Sequence, residues 1–67
     1  MNKFAERLKE LRLENNLSQR YLAKELNVSQ AAIARWEAKK QIPNIDVAIM
    51  VAKYFKTTTD YLLGLED

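Results

Sequence analysis

One glycine and one proline in 67 residues leave almost no punctuation for β-hairpins, whose tight turns depend on residues at positive φ. Helical periodicity must therefore carry the fold. Phe4, Leu8 and Leu11 recur at i, i+4 and i+7, one buried stripe on a first helix that runs from an Asn2 cap to about residue 15. Asn15 and Asn16 end it, because Asn tolerates the left-handed conformation. Ser18 caps a short second helix reaching about residue 25, with Leu22, Ala23 and Leu26 facing inward. Leu26-Asn27-Val28 then reads as a tight turn with Asn27 at positive φ. Ser29 caps a third helix through about residue 37, burying Ile33 and Trp36. Pro43 breaks the chain, Asn44 caps a fourth helix over about 45–55, and Thr58 caps a short fifth that Gly64 stops.

This pattern predicts an all-α fold of five helices forming a single domain over residues 1–67. Two short helices joined by a three-residue turn and packed on a longer first helix constitute a helix-turn-helix, at about residues 18–37. Ala23 sits where the two short helices approach most closely, so a larger side chain there would push them apart. Val28 and Ile33 are expected to fill the angle between them.

Composition removes several classes of chemistry. With no Cys there is neither a disulfide nor a thiolate metal site, and with no His the commonest general base and metal ligand are missing. No metal, cofactor or catalytic residue is expected, and the chain reads as a non-enzyme. Thr57-Thr58-Thr59 is explained by capping rather than nucleophilic catalysis, and no glycine-rich loop is present to cradle phosphate. No apolar run approaches the roughly 18 residues of a membrane span, and the N-terminus lacks a signal peptide's apolar stretch, so a cytoplasmic location is expected.

Net charge is only +2, but its distribution is uneven. Between Ser18 and Asn44 stand Arg20, Lys24, Arg35, Lys39 and Lys40 against Glu25 and Glu37, whereas the last eight residues carry three acids and no base. A basic middle and an acidic end fit one face made for a polyanion. On the third helix Gln30 and Arg35 lie five apart and share the outward face, while Ile33 and Trp36 turn inward. Gln can bond adenine and Arg can bond guanine, each bidentately. Trp36, three residues after Ile33, reads as core rather than as a platform for a nucleobase. The fourth helix carries two apolar stripes, Ile45-Ala48-Ala52-Phe55 for packing on the domain and Val47-Met50-Tyr54 on another face. The second stripe, with Tyr61 and Leu65 near it, is read as a homodimer interface.

The ordered combination Leu17-Ser18-Gln19, Leu22-Ala23, Leu26-Asn27-Val28-Ser29, Ile33, Trp36-Glu37, Pro43, Ala52 and Leu62-Leu63-Gly64 resembles the phage-repressor and Cro group of helix-turn-helix regulators. The resemblance runs from about Phe4 to Gly64. It implies a compact five-helix bundle whose third helix enters the major groove of double-stranded DNA. By position, it implies base reading by Gln30, Ala31 and Arg35. It also implies that Gln19 contacts phosphate while bracing the recognition helix, that Lys40 and Asn44 contact phosphate, and that Arg12 and Glu37 form a structural ion pair. Ser29, Lys39 and Arg20 stand beside these positions as further phosphate contacts. The chain departs from the family at Lys39, where a glycine is usual, and at Ala38, where a small polar residue is common. Ala31 offers only contact with a thymine methyl or open space.

The expected function is sequence-specific binding of a palindromic operator by a dimeric transcriptional regulator, a repressor in the first instance. A second reading, an adaptor or antitoxin whose main partner is an unidentified protein, would need an interaction segment beyond Gly64. RNA is disfavoured because no exposed aromatic cluster is evident for stacking bases.

Overall fold

The structure, a computed structural model, describes residues 2–66, which form five helices and no strand. The helices are α1 (Phe4–Glu14), α2 (Gln19–Leu26), α3 (Gln30–Glu37), α4 (Ile45–Tyr54) and α5 (Thr59–Leu63). Four begin as the sequence predicts. Ser18, Ser29, Asn44 and Thr58 sit in extended backbone, and each side-chain oxygen accepts the N–H three residues on. The first helix starts one residue later than expected. Lys3 is its cap residue, and Asn2 Oδ1 instead accepts the Phe4 N–H at 3.0 Å. Leu26, expected in the turn, completes the last turn of α2 and is buried.

All five helices end in one device. Asn16, Asn27, Lys39, Lys56 and Gly64 adopt positive φ, between 57° and 81°. The next residue then donates its N–H to the carbonyl five positions back: Leu17 to Arg12, Val28 to Ala23, Lys40 to Arg35, Thr57 to Ala52 and Leu65 to Asp60, at 2.8–3.0 Å. This Schellman closure satisfies carbonyls that a helix end would otherwise leave open. Two Asn and the Gly were legible as such stops. The two Lys were not, since a lysine has no local preference for the left-handed region.

The core consists of Phe4, Leu8, Leu22, Ala23, Leu26, Ile33, Trp36, Ala48, Val51, Ala52 and Leu62. Helix α1 packs on α3 and α5, α2 packs on α3 and α4, and α4 packs on α5. Phe4 meets the edge of Trp36 with ring centroids 6.3 Å apart, which joins α1 to the end of α3. The indole is buried, and among the described residues its Nε1 has no hydrogen-bond partner. Ala23 is buried between the short helices, as its small size requires. The start of α1 meets α5 where Lys3 N–H donates to the Leu63 carbonyl and Arg7 Nη1 donates to that of Tyr61.

One stripe of α4 differs from expectation. Ala48, Val51 and Ala52 form its buried face, and Phe55 packs partly against it, but Ile45 is 77% exposed. Ile45 is the first residue of α4 and projects past the rim of a small core, so helical phase alone does not bury it. Val51 occupies the central position instead.

Candidate nucleic-acid interface

Helix α3 stands at the surface with Ile33 and Trp36 buried beneath it and Gln30, Ala31 and Arg35 in solvent. Its orientation is held by one polar cluster. Arg12 of α1 donates from Nε to Glu37 Oε2 at 2.7 Å and from Nη2 to Glu37 Oε1 at 3.0 Å, a bidentate pair. Its third contact, Nη1 to the Leu17 carbonyl at 2.9 Å, ties in the segment leading to α2. Gln19, the first residue of α2, donates its amide to Glu37 Oε1 at 3.0 Å. A carboxylate can only accept, so one N–H of the Gln19 amide faces Glu37, and its second N–H and its carbonyl oxygen are left for other contacts. The Arg12 and Glu37 side chains are only 10% and 5% exposed. The hydrogen bond that Arg12 donates to Glu37 raises the guanidinium pKa further, and desolvation opposes it. Two other helices, α1 and α2, therefore converge on Glu37, the last residue of α3.

The basic residues surround this helix without forming one cluster. Arg20 is exposed on α2, and Ser29, Lys39, Lys40 and Asn44 are exposed at the two ends of α3 and at the start of α4. Both Ser29 and Asn44 use side-chain oxygens as helix-cap acceptors, leaving the Ser29 O–H and the Asn44 amide NH₂ free to donate. Lys39 is already engaged. Its Nζ lies 3.1 Å from Glu6 Oε1 across the end of α3, and this hydrogen bond, then the lysine's charge, holds the Glu6 carboxyl below its usual pKa. Arg35 Nε donates to Gln41 Oε1 at 2.7 Å, a partner that sequence spacing did not bring forward. Ala34, also missed, is half-buried on the same helix.

The residues read as a dimer face divide. Val47, Met50 and Tyr54 are half-buried and pack against the core, with Tyr54 Oη donating to Glu25 of α2 at 3.4 Å. Burial, then the Glu25 charge, pushes the Tyr54 hydroxyl pKa up. Tyr61 is half-buried with the Arg7 guanidinium 4.1 Å above its ring, and Leu65 is 74% exposed. Among the described residues no group of three or more His, Cys, Asp or Glu is placed to hold a metal, and no helix is long and apolar enough to cross a membrane.

This geometry has close counterparts. The chain is 42% identical over 64 residues to the HTH-type transcriptional activator BcrR of Enterococcus faecalis, covering 96% of this chain and 31% of that protein. It is 38% identical over 61 residues to the HTH-type transcriptional regulator AnsR of Bacillus subtilis, covering 91% of this chain and 53% of the relative. It thus spans from 31% to 57% of the length of such curated relatives. Its fold superposes on the P22 c2 repressor, solved in complex with a synthetic operator, with TM-score 0.87 and 29% identity over 98% of this chain and 100% of that one. A transcriptional regulator from Listeria innocua gives TM-score 0.90 at 31% identity, over 100% of this chain and 63% of the other. The helix-turn-helix family model matches residues 8–62, from the middle of α1 into α5. With the family model spanning most of the chain and the bundle fold shared, the chain belongs to the phage-repressor-like helix-turn-helix family.

Proposed function

We propose that residues 1–67 act as one sequence-specific double-stranded DNA-binding unit of a cytoplasmic transcriptional regulator, with α3 in the major groove of a palindromic operator. The observation that carries this reading is that α3 exposes Gln30, Ala31 and Arg35 while its far end is held by Arg12, Gln19 and Glu37. A rigid helix presenting polar ends to base edges is what direct readout requires. Gln30 and Arg35 supply bidentate partners for adenine and guanine, and Ala31 leaves room for a thymine methyl. Arg20, Ser29, Lys39, Lys40, Asn44 and the second amide N–H of Gln19 border the backbone on either side and serve as phosphate contacts.

The chain pairs with a second copy through the α4–α5 end, where Leu65 is exposed and Val47, Met50, Tyr54 and Tyr61 remain partly open. A two-fold protein then meets half-sites about 10 bp apart. Repression is the simpler outcome, since occupancy alone blocks access to an operator, whereas activation needs a further contact with the transcription machinery.

Selection from randomised duplexes tests this. The expected product is a palindrome, with Arg35→Ala relaxing preference at one symmetric base pair by about 1–3 kcal/mol. Equal binding of selected and scrambled duplexes, with both falling alike as salt rises, would leave only phosphate attraction and sink the sequence-specific reading. A protein partner would then be sought.

A further inference from the structure

The guanidinium of Arg35 does not stand free above α3. Its Nε–H donates to Gln41 Oε1 at 2.7 Å, and both side chains lie at the surface. Six positions separate the two residues, beyond the reach of neighbours on a continuous helix. They meet because the chain reverses at Lys39. With Lys39 at φ 62°, its N–H donates to the Trp36 carbonyl at 3.1 Å and the Lys40 N–H to the carbonyl of Arg35 itself at 2.9 Å. The closure folds the chain back onto the last turn of α3 and brings Gln41 beside Arg35.

This contact has a chemical consequence. An arginine has five N–H donors, and Nε carries the one nearest the stem. An acceptor there fixes rotation of the guanidinium plane while leaving the Nη1 and Nη2 donors unused. Those two nitrogens form the fork that matches guanine O6 and N7. An unrestrained arginine loses rotamer freedom when it docks, and a prior hydrogen bond removes part of that cost. We infer that Gln41 is a positioning residue for base recognition, holding Arg35 so that its terminal edge meets guanine. The inference rests on the proposed base-reading role of Arg35.

The test compares the full chain with Gln41→Ala, Gln41→Glu, Arg35→Ala and the Arg35→Ala/Gln41→Ala double variant. Each is titrated against the selected operator, the operator altered at the base pair that Arg35→Ala identifies, and a scrambled duplex. Gln41→Ala is expected to lose about 3- to 10-fold discrimination at that pair, with affinity for scrambled DNA unchanged. It should cost nothing further in the Arg35→Ala background. Gln41→Glu keeps an acceptor for Nε and should retain the discrimination while weakening all duplexes alike. In the free protein, the Arg35 Nε–H resonance should exchange with water faster in Gln41→Ala than in the parent chain. Equal losses on operator and scrambled DNA would overturn the inference and make Gln41 a phosphate contact. The same loss with and without Arg35 would overturn it too. If Arg35→Ala leaves every base preference intact, the base-reading role itself has failed. The Nε–H exchange would then still report whether the hydrogen bond exists, so the two failures are distinguishable.

Discussion

Single residues at the helix ends carry strain that the rest of the domain compensates. A non-glycine residue in the left-handed region is disfavoured by roughly 1–2 kcal/mol, and Lys39 and Lys56 both sit there. Lys56 makes none of the side-chain hydrogen bonds described above, so Lys56→Gly is expected to stabilise the chain by about 0.5–1 kcal/mol after glycine's greater unfolded-state entropy is counted. Urea unfolding followed by fluorescence of the single Trp would read this as a higher midpoint with an unchanged slope. Gly64 is the reverse case. It has φ 81°, and an added Cβ would lie 2.9 Å from Lys3 Cγ, so Gly64→Ala should destabilise by about 1–2 kcal/mol in the same assay. Glu6 gives a pH signature. Its folded-state pKa is lowered chiefly by the Lys39 hydrogen bond, so the stability it contributes is present above the ordinary Glu pKa and lost as pH falls through the lowered one. Glu6→Gln should abolish that acid-side component. By freeing Lys39 for phosphate, it should also raise affinity for scrambled DNA at low salt.

At the scale of elements, one carboxylate fixes how α3 sits on the domain. Glu37 receives Arg12 from α1 and Gln19 from α2, and it is nearly inaccessible to water. Removing one member of such a pair leaves a charge desolvated and unmatched, at a cost of about 3 kcal/mol or more. That is a large share of the stability expected for a chain this short. Glu37→Ala should therefore populate the unfolded state at room temperature, with Trp36 emission shifting to longer wavelength. If Glu37→Ala unfolds with an unchanged midpoint, the cluster does not hold the helix. The pairing of Arg12 with Glu37 was legible through family resemblance, and their spacing of 25 residues carries no local signal. The same limit explains Ile45. Periodicity assigns a residue to a face, but whether that face is covered at its first turn depends on where the core ends.

For the whole molecule, phosphate contacts should appear in the salt dependence of DNA binding. Each cation that neutralises one phosphate contributes about −0.9 to the slope of log K against log salt on duplex DNA. Lys40→Ala should therefore flatten the slope by about 0.9 for each subunit bound, with base preferences unchanged, whereas Arg35→Ala should change preference. An unchanged slope in Lys40→Ala would remove it from the phosphate set. Pairing through the α4–α5 end predicts that Leu65→Glu lowers operator affinity and shifts sedimentation toward the monomer. Its unfolding free energy should stay within about 0.5 kcal/mol of the parent, because Leu65 is exposed.

Local physics was readable along the chain. Ser18, Ser29, Asn44 and Thr58 cap helices through hydrogen bonds spanning three residues, and Asn16, Asn27 and Gly64 tolerate positive φ on their own account. Short-range terms of this kind, with one apolar stripe per helix, determined the number of helices and the helix-turn-helix at the centre. Tertiary structure decided what depends on several elements at once. Lys39 and Lys56 are driven into the left-handed region because closing the helix end outweighs their own preference. Val51 rather than Ile45 anchors α4 because the core is only a few residues wide. Gln41 reaches Arg35 because the chain reverses between them, and no pattern of residue types records the direction in which a loop side chain will point.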